Sequence, residues 1–361
     1  MSPPMDRLAR NNFDLLRLAF AGAVCLVHAW QLSGFAPLRH AFGWLSAEVA
    51  VQAFFVVSGF LIFMSCERSS SLGSYAEKRV RRIYPAYATV VLLCAMGLVF
   101  ASTLPAASYF SSRAWWSYLL ANLAFLNFLQ PTLPGVFGGN PVMPAVNGAL
   151  WTLKIEVMFY ASVPVFAWLF RRFGTRPVLA LGYALSVAYM LAMGELAERT
   201  GSRLHAELAR QLPGQLSYFL AGAFFYYHLP LFERRAPWFV AAALAILAVH
   251  AFLPLPALQP FALATLVVAA ALFFHVGNFG RYGDFSYGVY ILHFPVIQLL
   301  LHTGWFRRDP WLFLGAVLVL VAVGAVALWH LVEKRFLLRS SHYVRHAHGE
   351  AGAGASGRQP A

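Results

Sequence analysis

The sequence predicts an all-α, polytopic membrane helix bundle, on three observations. Of 361 residues, 60% are hydrophobic and only 11% charged, with a mean hydropathy of +0.63, where a soluble domain carries about a quarter charged residues. Ten stretches approach the roughly 20 apolar residues needed to cross a hydrocarbon core of about 30 Å. The cations also fall unevenly between alternate loops, as expected when cytoplasmic loops collect Lys and Arg. Together these exclude an ordinary soluble enzyme and a disordered chain.

Taken in order, the first stretch, 13 to 32, follows Arg7 and Arg10 but carries Arg17 and His28, and no small-residue cleavage site follows it. It reads as a retained helix and not as a leader. The second, 42 to 66, contains Glu48 and FFVVSGFLI at 54 to 62, whose Ser58-Gly59 pair suits close helix packing. The third, 83 to 104, follows a basic inner loop, 67 to 82, ending in Lys78, Arg79, Arg81 and Arg82. The segment 115 to 130 is interrupted by Asn122 and Asn127, opens with Trp115 and Trp116, and runs into Pro- and Gly-rich sequence. At about 16 residues it is too short for a span and reads as a re-entrant or interfacial helix. The fourth stretch, 149 to 170, opens on WTLKIEVMFY, and four apolar runs follow at 178 to 194, 212 to 228, 237 to 254 and 259 to 277. The ninth, 284 to 303, holds His293 and Pro295, and the tenth is 311 to 332. Residues 340 to 361, rich in Gly, Ala, Ser and His without apolar periodicity, read as a disordered cytoplasmic tail. That leaves 1 to 339 as the membrane domain.

The cations decide between topologies. With 115 to 130 left uncrossed and a cytoplasmic N-terminus, the inner side holds 18 Lys and Arg and the outer side seven, with Arg17 and Lys154 inside spans. If that segment crosses, the division becomes 12 inside and 13 outside. The ten-span arrangement with both termini cytoplasmic therefore wins. The formal charge of +13 becomes a topological signal that needs no nucleic-acid partner. Cys25, Cys66 and Cys94 have neither disulfide nor metal-ligand spacing.

Ionisable groups at bilayer depth are costly and mark a cavity or a buried pair. Arg17 and His28 are eleven residues apart, which on a helix is three turns plus about 20° and about 16.5 Å of rise. They share a face, with Arg17 near the inner mouth and His28 toward the outer end. Arg17 either snorkels to inner phosphates or meets an anionic ligand. Glu156 lies at a depth similar to His28 and is suited to orient its imidazole. Pairing of Glu156 with Lys154 is disfavoured, because residues two apart do not face each other on a helix. His293 is either a hydrogen-bonded core histidine at a kink or a participant in chemistry. The basic run at 78 to 82 fits positive-inside bias and anionic lipid, or the phosphates of a nucleotide or coenzyme.

Five stretches give a family resemblance: FDLLRLAFAGAVCLVH with Arg17 and His28, FFVVSGFLI, YAEKRVRRIYPAY, WTLKIEVMFY and SYGVYILHFP. In this order, over nearly the whole chain, they resemble the acyltransferase-3 family of integral membrane O-acyltransferases. That family acetylates lipopolysaccharide O-antigens, exopolysaccharides, peptidoglycan and, in some members, small molecules. There are two departures: Asp14 is followed by Leu15 where the family commonly has Gly, and the last span ends in Glu333, Lys334, Arg335 instead of Glu-Lys-Pro. No counterpart of the soluble esterase-like domain of some members is expected in these residues, so any second transfer step is expected of another protein.

The resemblance implies acetyl-CoA as donor, with no metal. It also implies a surface glycan or lipid-linked sugar as acceptor, in a bacterial inner membrane and in contact with its lipid. The expected catalytic residues are His28, Glu156 and His293. Arg17, Lys78, Arg79, Arg81 and Arg82 are expected at the donor phosphates. An acyltransferase of a small-molecule acceptor, or a transporter using the buried Arg, Glu and His residues, are the competing expectations.

Overall fold

The protein is described here by a computed structural model covering residues 10–277 and 279–338, together with Leu8. The tail expected at 340 to 361 lies outside the described residues.

The chain forms α1 Phe13–Ser33, α2 Ala36–Phe42, α3 Ala47–Glu67, α4 Leu72–Gly97, α5 Ala106–Ser111, α6 Arg113–Leu123, α7 Trp151–Phe173, α8 Thr175–Thr200, α9 Arg203–Ala209, α10 Leu212–Tyr227, α11 Leu229–His250, α12 Gln259–Phe273, α13 Ser286–Thr303 and α14 Pro310–Leu328. A π-helical turn, Trp329–Glu333, continues α14. The fold is all-helical, as the sequence predicts, and among the described residues six helical stretches are long and apolar enough to cross a membrane. These are Phe13–Ser33, Ala47–Glu67, Leu72–Ala101, Gly148–Phe173, Thr175–Thr200 and Pro310–Phe336. The other four expected spans are helices as well, but α10 and α12 run only 16 and 15 residues. α11 is kinked and α13 is more polar, with two His, two Tyr and a Gln in 18 residues.

Several boundaries move for local reasons. Helix α3 starts at Ala47, so Glu48 sits exposed in a first turn, where a carboxylate suits the helix dipole. The basic run 78–82 lies on α4 and not in a loop. Residues 229–236, expected as a loop, are helical; the helix bends at Arg235 (φ −121°, ψ 18°), two residues before Pro237, where the proline ring disfavours regular helix. The segment 115 to 130 opens within the 11-residue α6, which is about 16.5 Å by helical rise and too short to cross.

Two compact units are formed, one from the described parts of Met1–Arg17, Glu48–Ala76 and Ile155–Asn278, the other from those of Leu18–Ala47, Glu77–Lys154 and Phe279–Ala361. In the first, Gly59 of α3 meets the backbone of Phe219 and Gly222 of α10 meets that of Val56. This reciprocal approach explains why the apolar α3 interrupts its run with Ser-Gly. Around it Phe159 stacks on Phe219 with centroids 4.3 Å apart, and Phe63 lies against Phe219 at 5.6 Å. The start of α1 is pinned to the end of α12 by Asn12, whose backbone N–H donates to Ala271 O at 2.8 Å and whose Oδ1 accepts from Val276 N.

In the second unit the long connection after α4 is stitched to that helix. Tyr109 and Trp115 both donate to Ala95 O at 2.9 Å, and Tyr87 donates to Asn122 O at 2.6 Å. Burial pushes the Tyr109 hydroxyl up to about 12, so it remains a donor. The stretch 140–147 is laced to α13. Asn140 donates to Gln298 O and Oε1, while Gln298 Nε2 donates to Met143 O and Ala145 O. Helices α13 and α14 touch where Gly288 lies against Ala325.

Candidate functional site

The second unit brings together two of the three expected catalytic residues. His28 projects from α1 and His293 from α13, and His28 Nδ1 lies 2.8 Å from His293 Nε2. The rings are 17° from parallel with centroids 5.0 Å apart. That geometry is an edge-to-edge hydrogen bond in a shared plane and not a face stack, which would bring the centroids closer than the ring edges allow here. His293 is fully buried, whereas His28 is half-buried. Phe294 packs edge-on against His28 at 5.5 Å, and Tyr290 against His293 at 5.7 Å. The Tyr290 hydroxyl is itself fixed, 2.6 Å from Thr152 Oγ1.

The proton positions follow from the partners. His293 Nδ1 faces the carbonyl of Val289 at 3.3 Å, and a carbonyl only accepts, so Nδ1 carries the hydrogen. Neutral His293 then presents a lone pair at Nε2, and His28 donates to it from Nδ1. The other nitrogen of His28, Nε2, is left as a base. The carbonyl, His293 and His28 thus form a chain that sets the tautomer of the outermost imidazole, the role that second partners play for catalytic histidines.

Glu156 belongs to the first unit. Its Oε1 accepts from the Tyr160 hydroxyl at 2.6 Å and from Ser58 at 3.5 Å, which gives the Ser58-Gly59 pair a polar duty beside its packing one. Lys154 places Nζ 4.7 Å from the ring centre of Phe128, a cation–π contact.

The expected donor cations separate by helix face. Arg17 is half-buried on α1 in the first unit. On α4, Arg81 is exposed and bonded to Glu77 at 2.8 Å, while Lys78 and Arg79 are half-buried. Arg82 turns inward: its guanidinium is held by Asp284 and, at 3.3 Å, by Glu333. Trp329 lies 6.0 Å away on the π turn. Asp284 also accepts from Ser286 N at 3.1 Å and from the Ser286 hydroxyl, at the mouth of α13. Neither carboxylate was singled out from sequence, because acids at span ends are ordinary. Their side chains are only 1% exposed, and that depth is what marks them.

A cavity of about 430 Å³ lies elsewhere, lined by Glu67, the serines 69–71, Arg171 and Tyr227 of the first unit, and contains none of the expected catalytic residues. Among the described residues no three His, Cys, Asp or Glu side chains gather as metal ligands.

Comparison with known proteins defines the class. Residues 10–330 match the family model described as "Acyltransferase domain", and a relative aligned over nearly the full length is named an O-acetyl transferase, so the chain is a membrane O-acyltransferase. It belongs to the acyltransferase-3 family. It is 28% identical to "Nodulation protein 10" of Rhizobium leguminosarum bv. viciae over 93% of this chain and 96% of that one. It is 29% identical to an "O-acetyl transferase" of Shigella phage Sf6 over 92% and 97%. With "Acyltransferase MdmB" of Streptomyces mycarofaciens it shares 24% over 70% and 68%. No solved structure matches.

Proposed function

We propose that the protein is a multi-pass enzyme of a bacterial inner membrane, with about ten crossings and both termini cytoplasmic. In this reading it moves an acetyl group from cytoplasmic acetyl-CoA to a hydroxyl of a surface glycan, exopolysaccharide or lipopolysaccharide O-antigen, or of its lipid-linked precursor. The acetyl group is carried over from the phage relative's name. The glycan acceptor rests on the resemblance. The observation that carries the chemistry is the 2.8 Å bond from His28 Nδ1 to His293 Nε2, which leaves His28 Nε2 free to take a proton.

His28 Nε2 removes the proton of the acceptor hydroxyl as its oxygen bonds to the thioester carbonyl carbon. The carbon–sulfur bond breaks, and the imidazolium returns its proton to the departing thiolate. The products are an ester and free coenzyme A. His293 holds the ring in the reactive tautomer and disperses the transient charge. Glu156, with Tyr160 and Ser58, is the third member of the proposed machinery. Arg17, Lys78, Arg79 and Arg81 are assigned to the donor phosphates, since cations on helix surfaces suit phosphate oxygens. Arg82, already engaged by two carboxylates, anchors the stretch of α4 that carries Lys78, Arg79 and Arg81.

The test is direct. Membranes from expressing cells are incubated with acetyl-labelled acetyl-CoA, and label is followed into glycan and lipid-linked sugar. Label that enters neither fraction while the protein is present would sink the acceptor assignment.

A further inference from the structure

Helix α13 carries a proline two residues after His293. Because Pro295 has no N–H, the carbonyl of Ile291, four residues earlier, loses its helical partner. Ile291 is fully buried, so this carbonyl is out of reach of water, and buried backbone carbonyls require a partner. Asn147 provides it. Its side chain is 5% exposed, and Nδ2 donates to Ile291 O at 2.8 Å. Its Oδ1 accepts from Ala149 N at 3.2 Å, so one amide closes α13 and caps the turn that opens α7. The next residue, Gly148, lies against the Phe294 ring so closely that a methyl group would collide with it.

The same device occurs in the other unit. Pro164 in α7 frees the carbonyl of Tyr160, and the Tyr75 hydroxyl donates to that carbonyl at 3.0 Å. In both cases the rescued carbonyl lies within a turn of a proposed functional side chain: Tyr160 holds Glu156, and Ile291 sits between His293 and the Val289 carbonyl that His293 uses. A proline gap followed by a side-chain donor lets the helix bend at the site and then holds it at one angle.

We propose that Asn147 is a positioning residue for the histidine pair. By occupying the carbonyl that Pro295 opens, it fixes the turn from Val289 to His293 and keeps His293 Nε2 facing His28. The inference rests on the reading of that pair as the chemical centre.

The experiment uses the full-length protein in membranes, with labelled acetyl-CoA, and transfer rates expressed per folded enzyme. Asn147→Asp keeps the oxygen that caps Ala149 but removes the donor. Its transfer rate at saturating acetyl-CoA should fall by about 10- to 100-fold, with half-saturating acetyl-CoA changed by less than about twofold, as when a positioned group is displaced by a fraction of an ångström. Pro295→Ala gives Ile291 a backbone N–H again. In that background the additional loss from Asn147→Asp should shrink to about twofold or less, a non-additivity that only a shared interaction produces.

An undiminished loss in the Pro295→Ala background, or wild-type rates for Asn147→Asp, would overturn the proposal. If Asn147→Asp fails to accumulate, recovery of the protein on adding Pro295→Ala supports the bond, and no recovery overturns it. His293→Gln separates the two readings. Full activity in that variant removes the histidine pair itself, whereas an inactive His293→Gln beside an active Asn147→Asp removes only the role given to Asn147.

Discussion

Nδ1 of His28 stands 2.8 Å from Nε2 of His293, joining helices whose contacting residues are 265 positions apart in the chain. The bond has a direction, set by the Val289 carbonyl behind His293. One imidazole is therefore a buried support and the other a base with an open nitrogen.

His28→Ala removes that nitrogen. Transfer from labelled acetyl-CoA should drop by about 10²- to 10⁴-fold, the usual contribution of a general base, while immunoblots of membranes show unchanged protein. Retained transfer would exclude His28 as the base.

His293→Gln should act on turnover and spare donor binding. An amide cannot disperse charge as imidazole does, so we expect a loss of about 10- to 100-fold in rate. Titration with acetyl-CoA should give a half-saturating concentration near that of the parent.

Arg17→Ala and Arg79→Ala are expected to raise the acetyl-CoA requirement about tenfold each, since a charge-assisted bond to phosphate contributes roughly 1.5–3 kcal/mol. Saturating donor should restore most of the rate. A lowered maximal rate with an unchanged donor requirement would remove these residues from the phosphate site.

Arg82→Ala is predicted to behave differently. It leaves Asp284 and Glu333 buried without their shared cation, and stranding buried charges in this way costs about 3–5 kcal/mol. The expected readout is a lower thermal midpoint in detergent. Adding Asp284→Asn and Glu333→Gln together should recover part of the loss.

Gly59→Ala and Gly222→Ala insert a methyl group into backbone at the crossing of α3 and α10. Overpacking a close crossing costs about 1–3 kcal/mol or more when backbone must move. Either variant should unfold at lower temperature, and the pair should be less than additive because both report the same approach.

Most of the helical framework was legible because its signal is one-dimensional: each span is a local run of apolar side chains. The helices that fall short as spans, α10, α11, α12 and α13, are short, bent or carry polar groups. The second span starts at Ala47 and not at 42, with Glu48 kept within it in the first turn, because a helix start is set by backbone geometry, which hydropathy does not record. In the site, His28 and His293 stand out from sequence as costly residues at depth, but their mutual bond could not be read across so long a separation. Glu156 stands out in the same way, but its hydrogen bonds to Tyr160 and Ser58 depend on how α3 and α7 pack, which hydropathy does not record. The pairing of Asp284 and Glu333 with Arg82 was not legible, because sequence cannot tell a buried terminal carboxylate from an exposed one. Asn147 escaped notice for a related reason: its value depends on a proline 148 residues later in the chain.

The irregular stretch from 140 to 147 holds few regular turns, yet Asn140, Met143, Ala145 and Asn147 are all tied to Gln298 or Ile291. It is consequently a fixed wall beside α13 and not a flap. Its tied residues should resist proteases that cut flexible loops. A chimaera that borrows this stretch from a relative would have to borrow the Gln298 face of α13 with it, because the two are bonded into one block.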